Sequence, residues 1–159
     1  MLFHLLCWAA VGIPCFLLGT TVAYRSTSIL SPSLADRTIV SFYLGLVLIS
    51  TLLLALSLLF PVSSLVFWLV IGSATAVALA DKNTRSEYSQ LVSVLHRPWV
   101  LTLAVLIAAL AAFSAADPIK IYDTGVYHYP ITRWLATTGT IPGLALLYGN
   151  FGFSSSWYA

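Results

Sequence analysis

The chain has 159 residues, of which 60% are apolar and only 8% are charged, and its mean hydropathy is +0.96. Soluble domains carry about 25% charged residues, so this composition excludes a soluble globular protein and indicates an integral membrane protein. The formal net charge is +2 and the basic residues are scattered, which excludes the concentrated basic surface of a nucleic-acid-binding protein.

Four apolar runs are long enough, or nearly so, for a bilayer core that takes about 20 helical residues. They occupy residues 2–24, 39–60, 62–80 and 99–116. The first run has no Lys or Arg before it and exceeds the roughly 7–15 residues of a signal-peptide core, so we interpret it as a retained helix. Its cysteines, Cys7 and Cys15, would lie about 12 Å apart on that helix, which excludes a disulfide between them.

The connection between the third and fourth runs has the pattern of a short helix. Thr84 and Glu87 have the spacing of a capping box. Apolar residues then recur on one helical face, at Tyr88, Leu91, Val92 and Leu95. This pattern predicts an amphipathic helix over residues 84–96 that rests on the cytoplasmic membrane surface. A simple connector is favoured over a partner-binding site.

Basic residues divide unevenly between the two sides of the predicted bundle. Arg25, Arg37, Lys82, Arg85 and Arg97 follow the first and third runs, whereas Lys120 and Arg133 lie on the alternate side. Cytoplasmic connections carry the excess of Lys and Arg. The distribution therefore predicts that the N-terminus and residues 117–159 are extracytoplasmic and face the periplasm or a lumen.

The predicted spans are poor in ionisable side chains. The second, third and fourth contain none, and the first has only His4 near its end. Transporters and proton pumps usually place such groups inside the membrane. The spans therefore favour a scaffold over a transport protein, and small residues such as Gly45 and Gly72 favour close packing between helices.

Residues 117–159 form the only long stretch that is neither apolar nor a short connector. Pro130 suits the first turn of a helix and Gly139 suits its end, which predicts a helix over residues 130–138. Its apolar residues Ile131, Trp134 and Leu135 would face the membrane surface, as in a juxtamembrane helix. A fifth span would begin near Trp157. The predicted fold is therefore an all-α, polytopic bundle of four transmembrane helices, followed by an extracytoplasmic segment with a juxtamembrane helix.

Asp123 is the leading candidate for chemistry in this segment. A carboxylate at the membrane boundary can accept a proton from a hydroxyl group or bind a divalent cation. His128 and Arg133 could donate hydrogen bonds to a phosphate. A lone Asp before a helix is also a common N-cap, so a purely structural role for Asp123 stays open at this point.

The same segment resembles the first external loop of GT-C class glycosyltransferases, which are polytopic enzymes that use sugars linked to lipid phosphates. More closely, it is similar to the corresponding stretch of a family of large, mostly uncharacterised bacterial membrane proteins with a GT-C-like architecture. The residues that carry this resemblance are Asp123-x3-Tyr127-His128, Trp134, Ile141-Pro142-Gly143-Leu144 and Gly149-x2-Gly152-Phe153-x-Ser155-Ser156-Trp157. Asn150 departs from the pattern, since a basic residue is expected there.

The resemblance implies a function for the matching residues. In GT-C enzymes the acid of this loop acts as a base towards the acceptor hydroxyl or helps to organise a metal, and Asp123 is at the matching position. Tyr127 and His128 match motif positions and, with Arg133, are candidate substrate-binding residues. The chain would then be the N-terminal part of a larger glycosyltransferase and inactive alone.

A second hypothesis needs no further chain. The protein would be a complete small four-helix membrane protein that acts as a structural or assembly subunit, with residues 117–159 binding a partner. The sequence points to membrane lipids and a lipid-phosphate-linked sugar as candidate partners. It identifies no cofactor beyond a candidate divalent metal and no particular protein partner.

Overall fold

The computed structural model describes residues 2–26, 33–115, 128–141, 143 and 146. Within these ranges the chain forms six α-helices and no β-strand, which confirms the predicted all-α fold. The helices are α1 (Leu2–Arg25), α2 (Leu34–Ser57), α3 (Ser64–Ala80), α4 (Lys82–Leu95), α5 (Pro98–Ala115) and α6 (Tyr129–Thr137).

Three of the described helices, α1, α2 and α5, are long and apolar enough to cross a membrane. A fourth candidate span consists of α3 and α4 together, which meet at a break with a bend of 95°. The fold is therefore that of a polytopic helical membrane protein with three or four candidate spans. The sequence predicted four, with α4 as a separate surface helix.

The start of α2 differs from the expectation based on apolar runs. The sequence predicted a span from residue 39, whereas α2 begins at Leu34 and includes Asp36 in its first turn. A carboxylate near a helix N-terminus is stabilised by the free amides and the helix dipole. Polar residues that hydropathy assigns to a connector therefore form the first turns of this helix.

The described chain divides into two compact units. The first comprises Met1–Leu46 and Ser73–Pro118, and the second comprises Val47–Gly72 and Ile119–Ala159. In the first unit, α1 and α2 approach each other closely at two glycines. A Cβ atom at Gly19 would collide with the backbone of Ser41, and one at Gly45 would collide with the backbone of Cys15. The predicted packing role of Gly45 is confirmed, whereas no atom of the described residues lies within 4 Å of a Cβ atom at Gly72.

The core of the first unit is small and lies on the C-terminal half of α1. Phe16, Leu17 and Ala78 are buried together, and Leu91 of α4 packs against them. α1 also contacts α5. The N-terminal half of α1 leaves Phe3 and Leu6 exposed, as expected for side chains that face lipid in a membrane.

The break between α3 and α4 corrects one prediction. Asp81, with an extended backbone, is the N-cap of α4, and its Oδ2 accepts a 2.9 Å hydrogen bond from the Thr84 amide. The predicted capping box of Thr84 and Glu87 is wrong, because α4 begins at Lys82 and Glu87 lies in its second turn. The Glu87 side chain instead accepts hydrogen bonds from other helices.

In the second unit, α6 is held against the connection between α2 and α3. The Val62 amide donates a 2.7 Å hydrogen bond to the carbonyl of Leu135, and the Thr140 amide donates a 2.7 Å bond to the carbonyl of Ser57. Ile131 and Leu135 are buried within the protein, whereas the sequence predicted that they face the membrane surface. Main-chain bonds and an apolar face thus hold α6 at the end of α2.

Candidate functional site

Two of the four predicted site residues, Asp123 and Tyr127, lie outside the described residues, as does the glycine-rich run at 149–157. His128 and Arg133 are described. His128 is the N-cap of α6, where its side chain makes no capping hydrogen bond, and Arg133 is an exposed residue within the helix. Asp123, the predicted catalytic residue, therefore precedes α6 in the sequence by a short stretch, and this stretch ends where the helix begins.

His128 and Arg133 lie on different faces of α6. Their backbone positions are about 140° apart around the helix axis, since each residue advances the helix by about 100°. His128 has helical backbone angles, and Arg133 lies within α6. The two side chains consequently leave the helix in different directions.

The end of α6 is fixed by a glycine that no other residue could replace without strain. Gly139 has φ +78°, which is favourable only for glycine. A Cβ atom there would also lie 2.5 Å from the carbonyl oxygen of Ser57 and 3.1 Å from that of Phe60. The hydroxyl groups of Ser57 and Thr140 meet at 2.7 Å beside this glycine. The sequence predicted the glycine as a helix end but not its contact with α2.

A polar site that sequence reasoning missed lies in the first unit, where Glu87 meets Tyr24 and Arg37. The Arg37 Nε donates a 2.8 Å hydrogen bond to Glu87 Oε1, and its Nη2 lies 3.4 Å from Oε2. The Tyr24 hydroxyl donates a 2.8 Å bond to Oε2. The Glu87 side chain is 1% exposed and that of Arg37 is 17% exposed. We call these three residues the Glu87 cluster.

A chain of hydroxyl groups lies on the same helices as the Glu87 cluster. The Thr84 hydroxyl donates to Asp81 Oδ2 at 3.1 Å and lies 2.9 Å from the hydroxyl of Thr21, which is also buried. Hydrogen bonds from the Thr84 amide and hydroxyl lower the pKa of Asp81 below its ordinary value. Both bonds therefore favour the carboxylate form of Asp81.

The Glu87 cluster joins three helices, because Tyr24 lies in the last turn of α1, Arg37 lies in the first turn of α2 and Glu87 lies on α4. Both carboxylate oxygens accept hydrogen bonds, so the buried charge is compensated by partners on two other helices. The cluster is suited to fixing α4 rather than to proton transfer. The sequence signal for this cluster was the carboxylate of Glu87 next to an apolar helical face. A buried acid is tolerated only when it is paired, for example with an Arg.

An apolar groove of about 480 Å³ lies between α1, α2 and α4 within the first unit. Its walls include Gly12, Phe42 and Leu91, and aromatic side chains of Trp8, Tyr43 and Tyr88 also line it. The amphipathic face predicted for the connection between the third and fourth runs thus forms one side of this groove. Its position could not be predicted, because it requires the packing of three helices.

Metal-ligand geometry is not assembled in the part of the chain that the structure describes, where no three His, Cys, Asp or Glu side chains come together. Comparison with known proteins gives one finding. A family model described as a domain of unknown function (DUF8201) matches residues 1–159. No curated protein and no solved structure matches the chain.

Proposed function

We propose a function for a chain that belongs to the DUF8201 family along residues 1–159: it is the N-terminal, membrane-embedded part of a GT-C-like glycosyltransferase that transfers a sugar from a lipid-phosphate donor. The proposal rests on the resemblance of residues 117–159 to the first external loop of such enzymes. The composition and the apolar helices support the membrane location that this function needs.

One structural observation carries the proposal furthest, namely the attachment of α6. The helix directly follows the segment with Asp123 and is held by the bonds from Val62 to Leu135 and from Thr140 to Ser57. A catalytic group must be held in a productive geometry to be effective. A short helix fixed beside the connection between two apolar helices provides a firm end for a loop at the membrane boundary.

Asp123 has a defined role in the proposed reaction. Its carboxylate would take the proton from the acceptor hydroxyl as the oxygen attacks the anomeric carbon, and the lipid phosphate would leave with the electrons of the broken bond. An alternative role of the same carboxylate is to organise a divalent metal near the phosphate. Tyr127, His128 and Arg133 would contact the substrate at separate positions.

The proposed orientation places α6 outside the cytoplasm and α4 on the cytoplasmic side. The excess of basic residues in the connections that follow α1 and α3 supports it. The contact between Arg37 and Glu87 is compatible with this orientation. It joins α2, which comes after α1, to α4, which comes after α3, and both residues lie in the first unit. The proposed membrane is a bacterial inner membrane.

The test is sugar transfer by the complete protein that contains these residues, reconstituted in lipid with a lipid-phosphate-linked sugar. We expect Asp123→Asn to lower the rate by about 10²–10⁴-fold, the usual contribution of a general base. The matched control is Asp117→Asn, which removes a carboxylate from the same segment and should leave the rate near that of the wild type. Equal rates for wild type and Asp123→Asn would refute the role of Asp123.

A role as an assembly subunit is the second candidate, and α5 is the observation that favours it. Among its residues only Ala112 is buried, whereas Leu103, Ile107 and Phe113 are exposed. Such a face suits either lipid or the helices of another membrane protein. This function predicts a stoichiometric complex with one defined membrane protein that survives Asp123→Asn, together with no sugar transfer by the complete protein.

A further inference from the structure

The groove between α1, α2 and α4 has the size and lining of a ligand-binding site. Its volume of about 480 Å³ lies within the range of about 300–1,000 Å³ that is typical of ligand pockets. Hydrocarbon side chains such as Phe16, Ile39 and Leu91 form most of its walls. A site of this size and chemistry takes an apolar chain rather than a sugar or a nucleotide.

The surroundings of the groove indicate where such a chain would come from. Two of its walls, α1 and α2, are helices that can cross a membrane. In a bilayer the solvent beside these helices is acyl chain, and water in an apolar groove would be unfavourable. The third wall, α4, follows the 95° bend after α3. It is amphipathic, which suits a helix at the boundary between acyl chains and headgroups.

Charge at the α4 side of the groove favours an anionic headgroup. Arg85 is exposed and lies one turn before Tyr88, at the edge of the helical face that lines the groove. Lys82 precedes it on the same exposed part of α4. Basic residues at the membrane surface attract anionic lipids. The groove and Arg85 together thus present the two features of a phospholipid site, a slot for a chain and a cation for a phosphate.

We propose that the groove binds one acyl chain of an anionic glycerophospholipid, whose phosphate lies beside Arg85. This inference goes beyond sugar transfer and depends only on the membrane location of α1 and α2. The acyl chain of a bound lipid would lie between α4 and the helices α1 and α2, and it would contact all three. It would stabilise the arrangement that the Glu87 cluster also fixes.

The experiment measures lipid retention by native mass spectrometry after the protein is transferred from nanodiscs of phosphatidylglycerol and phosphatidylcholine. We expect the wild type to retain one phosphatidylglycerol. Gly12→Leu should lower that occupancy roughly tenfold, the change produced by a loss of about 1.4 kcal/mol, because the new side chain fills the groove. A Cβ atom at Gly12 would lie 3.6 Å from Phe42 Cε2, an ordinary contact that the fold tolerates.

The chain offers a matched control for added bulk. Gly72→Leu adds the same side chain to α3, where nothing lies within 4 Å of the new Cβ atom, and it should retain lipid as the wild type does. Ala9→Leu is a second groove-filling variant, for use if Gly12→Leu loses helicity, since Ala9 also lines the groove. Wild-type occupancy in both groove variants would overturn the proposal.

The headgroup is tested separately. Arg85→Gln should reduce the preference for phosphatidylglycerol over phosphatidylcholine while a chain is still bound. Equal retention of both lipids by the wild type would show a site for any acyl chain and would overturn the assignment of an anionic lipid. Loss of all lipid on mild delipidation of the wild type would overturn the site itself.

Discussion

Glu87 is the largest of the fully buried side chains in the described parts of the structure. A buried carboxylate is tolerated only when charged and hydrogen-bonded partners compensate it. Arg37 and Tyr24 supply these partners from α2 and α1. The residue that a membrane protein of this composition would be expected to expose is thus the one that connects three of its helices.

Removal of one partner of this ion pair should destabilise the fold strongly. We expect Glu87→Gln to lower the free energy of unfolding by about 3 kcal/mol, because the charge of Arg37 then lacks its carboxylate. The double variant Arg37→Met with Glu87→Leu should recover most of that loss, since apolar replacements of a whole buried pair are often neutral. Unfolding in mixed detergent micelles measures both changes.

The control for this prediction is Arg85→Met, which alters an exposed cation on the same helix as Glu87. Its effect should stay within about 0.5 kcal/mol. A double variant less stable than Glu87→Gln would contradict the expectation that the unpaired charge causes the loss. It would show instead that the paired charges contribute net stability.

The capping pattern around Thr84 shows why residue-scale prediction failed at this site. Asp81, Thr84 and Glu87 are spaced so that either of the first two could be an N-cap with a partner three residues later. Local sequence cannot choose between them. The choice depends on Arg37, which is 50 residues from Glu87 in the chain and draws the carboxylate away from the helix start.

At the scale of elements, α6 depends on Gly139 both for backbone conformation and for its contact with α2. Gly143 has a similar backbone angle, φ +87°, but among the described residues a Cβ atom there would meet only Leu146 Cδ1, at 3.8 Å. Substitution of Gly143 therefore measures the free-energy cost of the backbone conformation, whereas substitution of Gly139 adds the cost of the contact with Ser57. Sequence alone ranks them as equals.

We expect Gly143→Ala to cost about 1 kcal/mol, the penalty for a left-handed backbone at a residue with a Cβ atom. Gly139→Ala should cost at least about 1 kcal/mol more, because its methyl group also overlaps the carbonyl of Ser57. Hydrogen exchange of the α6 amides, together with global unfolding, measures the difference. Equal costs for the two variants would show that the contact with Ser57 yields under the added methyl group.

The apolar runs predicted the presence of the long helices well, because a helix needs about 20 apolar residues to cross a bilayer and little else produces such runs. Their limits were predicted less well. α2 begins before its apolar run because Asp36 suits a first turn and Arg37 has a distant partner. Gly45 and Gly72 were equally plausible packing residues, and only tertiary contacts distinguish them.

At the scale of the whole molecule, the proposed orientation is open to a direct test. In a background with Cys7→Ala and Cys15→Ala, Ser89→Cys places a thiol on α4 and Thr137→Cys places one on α6, both at exposed positions. An impermeant thiol reagent added to intact cells should label Thr137→Cys. It should label Ser89→Cys only after the membrane is permeabilised.

The cysteine-free background should give no label and is the control for other nucleophiles. Labelling of Ser89→Cys alone in intact cells would reverse the proposed orientation. Labelling of both would contradict the placement of α4 and α6 on opposite sides. The glycosyltransferase proposal requires that only Thr137→Cys is labelled in intact cells, because only this pattern places Asp123 on the extracytoplasmic side.

The candidate sites differ in how far sequence could reach them. Asp123 was chosen by its resemblance to a known loop and by its place after an apolar run, and it lies outside the described residues. The groove was beyond sequence, because each of its walls looks like an ordinary apolar or amphipathic helix. Only the relative placement of α1, α2 and α4 in the first unit creates it.

The separation of Arg37 and Glu87 in the sequence also determines when their ion pair can form during synthesis. The ribosome completes the start of α2 fifty residues before it reaches Glu87, which is an interval of several seconds at about 5–20 residues per second. Arg37 lies in the first turns of α2, where a long cationic side chain can reach lipid phosphates while the rest of the helix inserts. The ion pair therefore closes only after α1 and the start of α2 have been synthesised, and it fixes α4 onto helices that are already in the membrane.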